Sequence, residues 1–141
     1  MSRIFVYGSL RQGMYNYDIY LKDKSSFQGY AYVLGSLYTI KGVQYPALLA
    51  GDDYILGEIY EIEESVETAI DQLEQYREGD LDNEYNKVSL QIYNERYEAM
   101  DQLPVYLFNM EKEAHKELLG ERIQENDYVA FMQKQKKTSN L

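Results

Sequence analysis

Cysteine is absent from this chain of 141 residues, which excludes disulfides, thiolate metal sites and a cysteine nucleophile. Histidine occurs once, at His115, so no multi-histidine metal centre can be built within one chain. That residue sits in the charged segment Glu113-Ala114-His115-Lys116-Glu117, a pattern that places it on a helix surface. Positive charge is scarce: 14 Lys and Arg stand against 24 Asp and Glu, a formal net charge of −10. Nucleic-acid binders draw affinity from a basic stripe, so no nucleic-acid partner is expected. The only basic cluster, Lys134, Lys136 and Lys137, belongs to a polar, frayed tail over residues 134–141. No apolar run approaches the roughly 18 residues of a membrane span, so no membrane partner is expected. The N-terminus runs straight into strand-like sequence without signal-peptide architecture, which points to the cytoplasm. There is no GxGxxG, no P-loop and no calcium-loop spacing.

What is present is an ordinary globular mixture, 45% hydrophobic and 27% charged, and it fits one domain over residues 1–133. Arg3 to Tyr7 reads as a strand stopped by Gly8, apolar enough to be buried on both faces. Ser9 to Tyr17 reads as a loop and Asp18 to Lys22 as a short helix. Residues 29–40, 45–49 and 55–62 read as strands, the last with Glu58 and Glu61 breaking its alternation in the manner of a barrel edge. Val66, Ala69, Ile70, Leu73 and Arg77 share one helical stripe, with Ser65 as N-cap and Gly79 as the stop. Residues 85–93 return to a period of two, with Val88, Leu90 and Ile92 on one face. Residues 103–110 form a further strand, and 112–135 are mostly helical, split at Gly120 and at Glu125-Asn126-Asp127. The sixteen tyrosines are assigned to half-buried packing with a wet hydroxyl.

Two places are candidates for chemistry. In Tyr7-Gly8-Ser9-Leu10, a glycine turn straight after a strand lets the backbone approach a ligand, and successive N–H groups can converge on a carboxylate. Glu74 lies at the margin of the helical stripe, partly desolvated and near a helix C-terminus, and both effects raise its pKa toward the range of a general base. The wheel does not single it out, because Glu67 lies two turns earlier on nearly the same line. A Ser9 nucleophile would need a base, and His115 is the only imidazole.

The order of segments carries more information. Phe5-Val6-Tyr7-Gly8-Ser9-Leu10-Arg11-Gln12-Gly13, Tyr45-Pro46-Ala47-Leu48, Gly57-Glu58-Ile59-Tyr60, Ile70-Asp71 through Leu73-Glu74-Gln75-Tyr76, Tyr85 to Val88, Val105-Tyr106 and Asn126-Asp127-Tyr128 follow one another as motifs do in the gamma-glutamylcyclotransferase-like family, which the chain resembles over roughly residues 3 to 131. Tyr17 departs from the histidine of many members, and Gln75 from the usual glycine. The resemblance implies an α+β fold, a mixed-sheet, partly closed β-barrel with flanking helices. It implies cyclisation of a small-molecule γ-glutamyl amide to 5-oxoproline with release of the amine. Glu74 is the position matching the motif glutamate that accepts the proton, and Tyr7, Gly8, Ser9, Leu10 and Tyr106 match the substrate-binding positions. The substrate's own amine is the nucleophile, so neither cofactor nor metal is implied. A non-catalytic binding module on the same fold is the alternative. The resemblance names neither the amine nor the oligomeric state.

Overall fold

The computed structural model describes the backbone of residues 1–139 and the side chains of residues 1–136. Six strands and four helices alternate in the order β1 (Ser2–Val6), α1 (Tyr15–Tyr20), β2 (Ser25–Ile40), β3 (Pro46–Ile62), α2 (Glu64–Leu73), β4 (Tyr85–Tyr93), β5 (Ala99–Phe108), α3 (Glu113–Leu118), β6 (Leu119–Arg122) and α4 (Tyr128–Ser139). The strands hydrogen-bond in the order β1-β3-β2-β4-β5, and β6 pairs with β2 off that path. The α+β class and partial closure agree with expectation. Every pairing among the described residues is antiparallel, where a mixed sheet was expected.

β1 lies at one end of the ladder and β5 at the other, yet both faces of β1 are buried. Ile4 and Val6 enter one core cluster, while Phe5 enters a second with the following Tyr7. The sheet curls until its ends meet. Arg3 forms an ion pair with Asp101 at the end of β5, and the Tyr7 hydroxyl donates to the carbonyl of Tyr106. Burial on both faces thus comes from closure rather than from a central place in the sheet.

Several elements differ from the sequence reading. Residues 46–62 form one strand instead of two, because Leu49 faces Ser36 and Asp53 faces Gly35, leaving residues 50–52 as an unmatched excursion within the pairing. α2 begins after Glu63 rather than Ser65 and ends at Leu73, well before Gly79. The region after 112 is not continuous helix: residues 119–122 pair with β2, Arg122 facing Tyr38 and Leu119 facing Ile40. Gly120 permits this, since a Cβ there would stand 2.2 Å from Thr39 Oγ1. A free strand edge on β2 has overridden helical preference. α4 extends through most of the segment assigned to a tail; Asn140 and Leu141 lie outside the described residues. Of the β4 face Val88, Leu90 and Ile92, only Ile92 is fully buried. No helix among the described residues is long and apolar enough to cross a membrane.

Candidate active site

The loop after β1 sits at the sheet's seam, held there by the Tyr7 hydroxyl on the Tyr106 carbonyl. Tyr7, Gly8, Ser9 and Leu10 are all buried, with Leu10 anchored in a core cluster beside Leu21 and Ile70. Arg11 N–H donates to the Gly8 carbonyl at 3.0 Å, closing the turn. Asn16 then ties the turn to the start of α1: its side-chain amide donates to Ser9 Oγ at 2.8 Å and its backbone N–H to the Ser9 carbonyl at 3.2 Å. Ser9 is therefore an acceptor held in place, with no imidazole near it. Among the described residues, no protein acceptor is hydrogen-bonded to the N–H groups of Gly8, Ser9 or Leu10. Three successive free donors form the kind of concavity that binds an anion.

This loop forms one wall of a cavity of about 220 Å³, which Glu74, Glu84, Tyr85 and Tyr106 also line. Gly8 is required at the wall, because a Cβ there would lie 2.8 Å from both Cγ and Cδ of Pro46. Pro46 cannot retreat freely, since its carbonyl accepts the buried Tyr85 hydroxyl at 2.6 Å. Tyr106 has its hydroxyl turned to Asp71 and its carbonyl to Tyr7. Burial, reinforced by the charge of Glu74, raises the Tyr7 phenol well above its ordinary value, so Tyr7 stays a neutral donor.

Glu74 reaches the cavity because α2 stops one residue before it. Its N–H closes the last helical turn on Ile70 O at 2.9 Å, and Gln75 then turns into the left-handed region at φ 52°. Glycine takes that conformation freely, whereas a side chain there costs roughly 1 kcal/mol. Gln75 therefore carries strain that a glycine, usual at this position in the family the chain resembles, would avoid. Glu74 has no hydrogen-bond or ion-pair partner for its carboxylate among the described residues. Burial first, then the charges of Glu84 and Asp71, push its pKa up from 4.5 to about 8. Glu67, its rival on the wheel, does not line the cavity. It pairs with Lys87 at 2.6 Å and accepts from Ser2 Oγ at 3.1 Å, and the Lys87 bond leads in holding its pKa below the ordinary value.

Two groups were missed or misread from sequence. His115 is buried rather than on the surface. It stacks on Phe108 at 4.5 Å between ring centres, and its Nδ1 lies 2.9 Å from the Asn109 carbonyl, away from the cavity. Behind the loop lies a buried ionic cluster. Arg11 Nε donates to Glu58 at 2.8 Å and its Nη1 to Asp127 at 2.6 Å. Glu58 also accepts the Gln12 N–H at 2.9 Å and the Tyr60 hydroxyl at 2.8 Å. The one signal in the sequence is the pair Glu58 and Glu61 in a largely apolar strand, a pattern that resembles a barrel edge. Asp127 in turn caps α4 by accepting the Ala130 N–H at 3.1 Å. No group of three or more His, Asp or Glu side chains among the described residues is arranged to hold a metal ion.

The family model described as gamma-glutamyl cyclotransferase, AIG2-like, matches residues 4–130. This chain belongs to that family. Among its relatives is the gamma-L-glutamyl-butirosin B gamma-glutamyl cyclotransferase of Niallia circulans, 37% identical over 93 residues. The matched stretch spans 65% of this chain and 58% of that protein. Similar folds occur in PH0828 from Pyrococcus horikoshii, with a TM-score of 0.68 and 20% identity over 97% of this chain and 98% of the other. An AIG2-like protein from Mus musculus gives a TM-score of 0.66 with 24% identity, covering 84% of each chain.

Proposed function

We propose that this protein is a gamma-glutamyl cyclotransferase that converts a γ-glutamyl amide to 5-oxoproline and releases the amine. One observation carries the reading: an unpaired carboxylate and a loop whose backbone N–H groups have no protein acceptor line a single cavity. The name of the Niallia circulans relative, which specifies a γ-glutamyl group, supports the same substrate class. At about 220 Å³ the cavity is smaller than the roughly 300–1,000 Å³ that encloses drug-sized ligands. It suits a folded glutamyl group, with the amine extending toward solvent.

The chemistry follows from those parts. The N–H groups of Gly8, Ser9 and Leu10 hold the α-carboxylate and fix the chain in a folded conformation. Glu74, as a carboxylate, takes a proton from the α-ammonium. The freed amine attacks the γ-carbonyl and a new C–N bond closes the five-membered ring. Glu74 returns its proton to the amide nitrogen as the old C–N bond breaks, and the second proton shed by the ring nitrogen follows it, so the amine leaves as an ammonium. The nucleophile is the substrate's own, so atoms and charge balance without a covalent enzyme intermediate. Acid–base help of this kind is worth about 10²–10⁴ in rate. Oriented intramolecular attack adds effective molarities of roughly 10⁵–10⁸ M.

The direct test incubates the purified protein with a panel of γ-glutamyl amines and amino acids and follows 5-oxoproline by mass spectrometry. Release from at least one is expected, and it should survive exhaustive chelation. Tight binding of these compounds without turnover would indicate a binding module instead. The cradle has its own test. In Gly8→Val the new side chain meets Pro46, so the loop backbone shifts and product affinity should fall at least about tenfold, as loss of charge-assisted hydrogen bonds requires. Parent-like binding of 5-oxoproline by calorimetry would show that the carboxylate sits elsewhere.

A further inference from the structure

We propose that Glu84 selects substrates whose leaving amine carries a second positive charge, such as a diamine, over substrates with a neutral amine. The inference rests on the cyclotransferase reading and adds the substrate class. Four other carboxylates near the loop and α2 are paired with cations, Glu58 and Asp127 sharing Arg11 and Glu67 and Asp71 sharing Lys87. Glu74 and Glu84 are not, and both line the cavity, whose wall includes no Lys or Arg. Among the described residues Glu84 receives one side-chain hydrogen bond, from the Tyr45 hydroxyl at 2.7 Å. That bond occupies Oε1 and leaves the charge uncompensated.

Charge counting on the substrate gives the rest. A γ-glutamyl group is a zwitterion, with one carboxylate and one ammonium. The free N–H groups of the loop take the first and Glu74 takes a proton from the second. Glu84 then has no counterpart within the glutamyl half. Glu84 is half-buried, and the exposed Tyr15 and Gln75 line the same cavity as the buried Tyr7 and Tyr85. In the proposed pose the leaving amine exits past these exposed residues and so comes within reach of Glu84. The position is rigid, because Glu84 N–H donates to Gln75 O at 3.3 Å and Glu84 O accepts from Asn109 N–H at 3.0 Å. The Tyr15 and Tyr45 rings on the same wall add π faces that suit an organic cation. Glu84 is also the neighbour whose charge most raises the pKa of Glu74, so a cation held there would favour the ionised Glu74 as well.

Two synthetic amides separate the possibilities: γ-glutamyl-1,4-diaminobutane and γ-glutamyl-pentylamine, which differ by exchange of a terminal ammonium for a methyl. The kcat/KM ratio should favour the diamine amide by about tenfold or more at low salt, as a charged hydrogen bond provides, and should shrink as salt rises. Glu84→Gln keeps an acceptor for Tyr45 but should bring the ratio close to one, mainly through KM. Glu84→Asp should retain most of the preference, which a merely structural role for the side chain does not predict. Equal kcat/KM values in the parent, or a preference that survives Glu84→Gln, overturn the inference while leaving cyclotransfer intact. Failure of both amides to yield 5-oxoproline, with the parent active on no other γ-glutamyl compound, overturns the underlying reading and the inference with it.

Discussion

Glu74→Gln should lower turnover by at least about 10²-fold, the loss expected when a general base is removed, while 5-oxoproline still binds. The amide keeps the shape of the carboxylate and occupies the same half-buried position at the end of α2. Glu67→Gln is the matched control. It lies on nearly the same helical line but pairs with Lys87 outside the cavity, and it should keep near-parental turnover. Loss of activity in Glu67→Gln with activity retained in Glu74→Gln would assign the proton transfer to the wrong carboxylate. Activity in both would end the acid–base mechanism. The parent should show an acidic limb in kcat/KM near pH 8, since Glu74 holds its proton up to about that pH in the free protein. In kcat the limb should move lower, because a bound ammonium favours the carboxylate.

The same substitution has a stability signature with a definite sign. The unfolded chain releases this proton near 4.5 and the folded chain near 8. Between those values the folded state binds the extra proton, so Glu74 contributes most stability below pH 4.5 and loses it progressively as pH rises to about 8. The slope approaches about 1.4 kcal/mol per pH unit at most. Glu74→Gln carries no such proton, so its urea stability should gain on the parent steadily from pH 5 to 8. A constant difference across that range would mean that Glu74 titrates normally.

The parts of the candidate site were legible in sequence where a local rule and a segment order coincided. A glycine turn after a strand and a carboxylate at a helix margin are local features, and the structure brings both to one cavity. The helix wheel could not separate Glu74 from Glu67, because the distinction depends on where α2 ends and on Lys87, which arrives from β4. Long-range pairing defeated the other readings. Residues 119–122 became strand because β2 had an edge to offer, and His115 became buried because Phe108 lies against it. β2 is distant along the chain, and Phe108, though near His115 in sequence, belongs to β5 and so lies outside the helical pattern. Arg11 and Glu58 are 47 positions apart, so no local period connects them.

Arg11→Met should cost about 3–5 kcal/mol in folding stability, more than any single surface change, because it strands a charge in the core. Arg11 is 4% exposed and Glu58 2%. Removing the guanidinium leaves Glu58 with only the Gln12 N–H and the Tyr60 hydroxyl as hydrogen-bond donors, and leaves Asp127 without its cation. Arg11→Lys should recover little of this. An ammonium is a single point, whereas the guanidinium reaches Glu58 through Nε and Asp127 through Nη1 at once. The loss has a second consequence, since those two bonds join the loop after β1 to β3 and to the cap of α4. Freed from them, the Gly8–Leu10 donors lose their fixed spacing, and affinity for 5-oxoproline should fall in any fraction that remains folded. Pairing Arg11→Met with Glu58→Gln removes both charges and should restore much of the stability, a coupling that a double-mutant cycle reads directly. Restored stability with product affinity still weak would mark the ion pair as a positioning device for the loop. Recovery of both together would reduce it to the relief of a buried charge, and a loss below about 1 kcal/mol in Arg11→Met would show that the cluster anchors nothing.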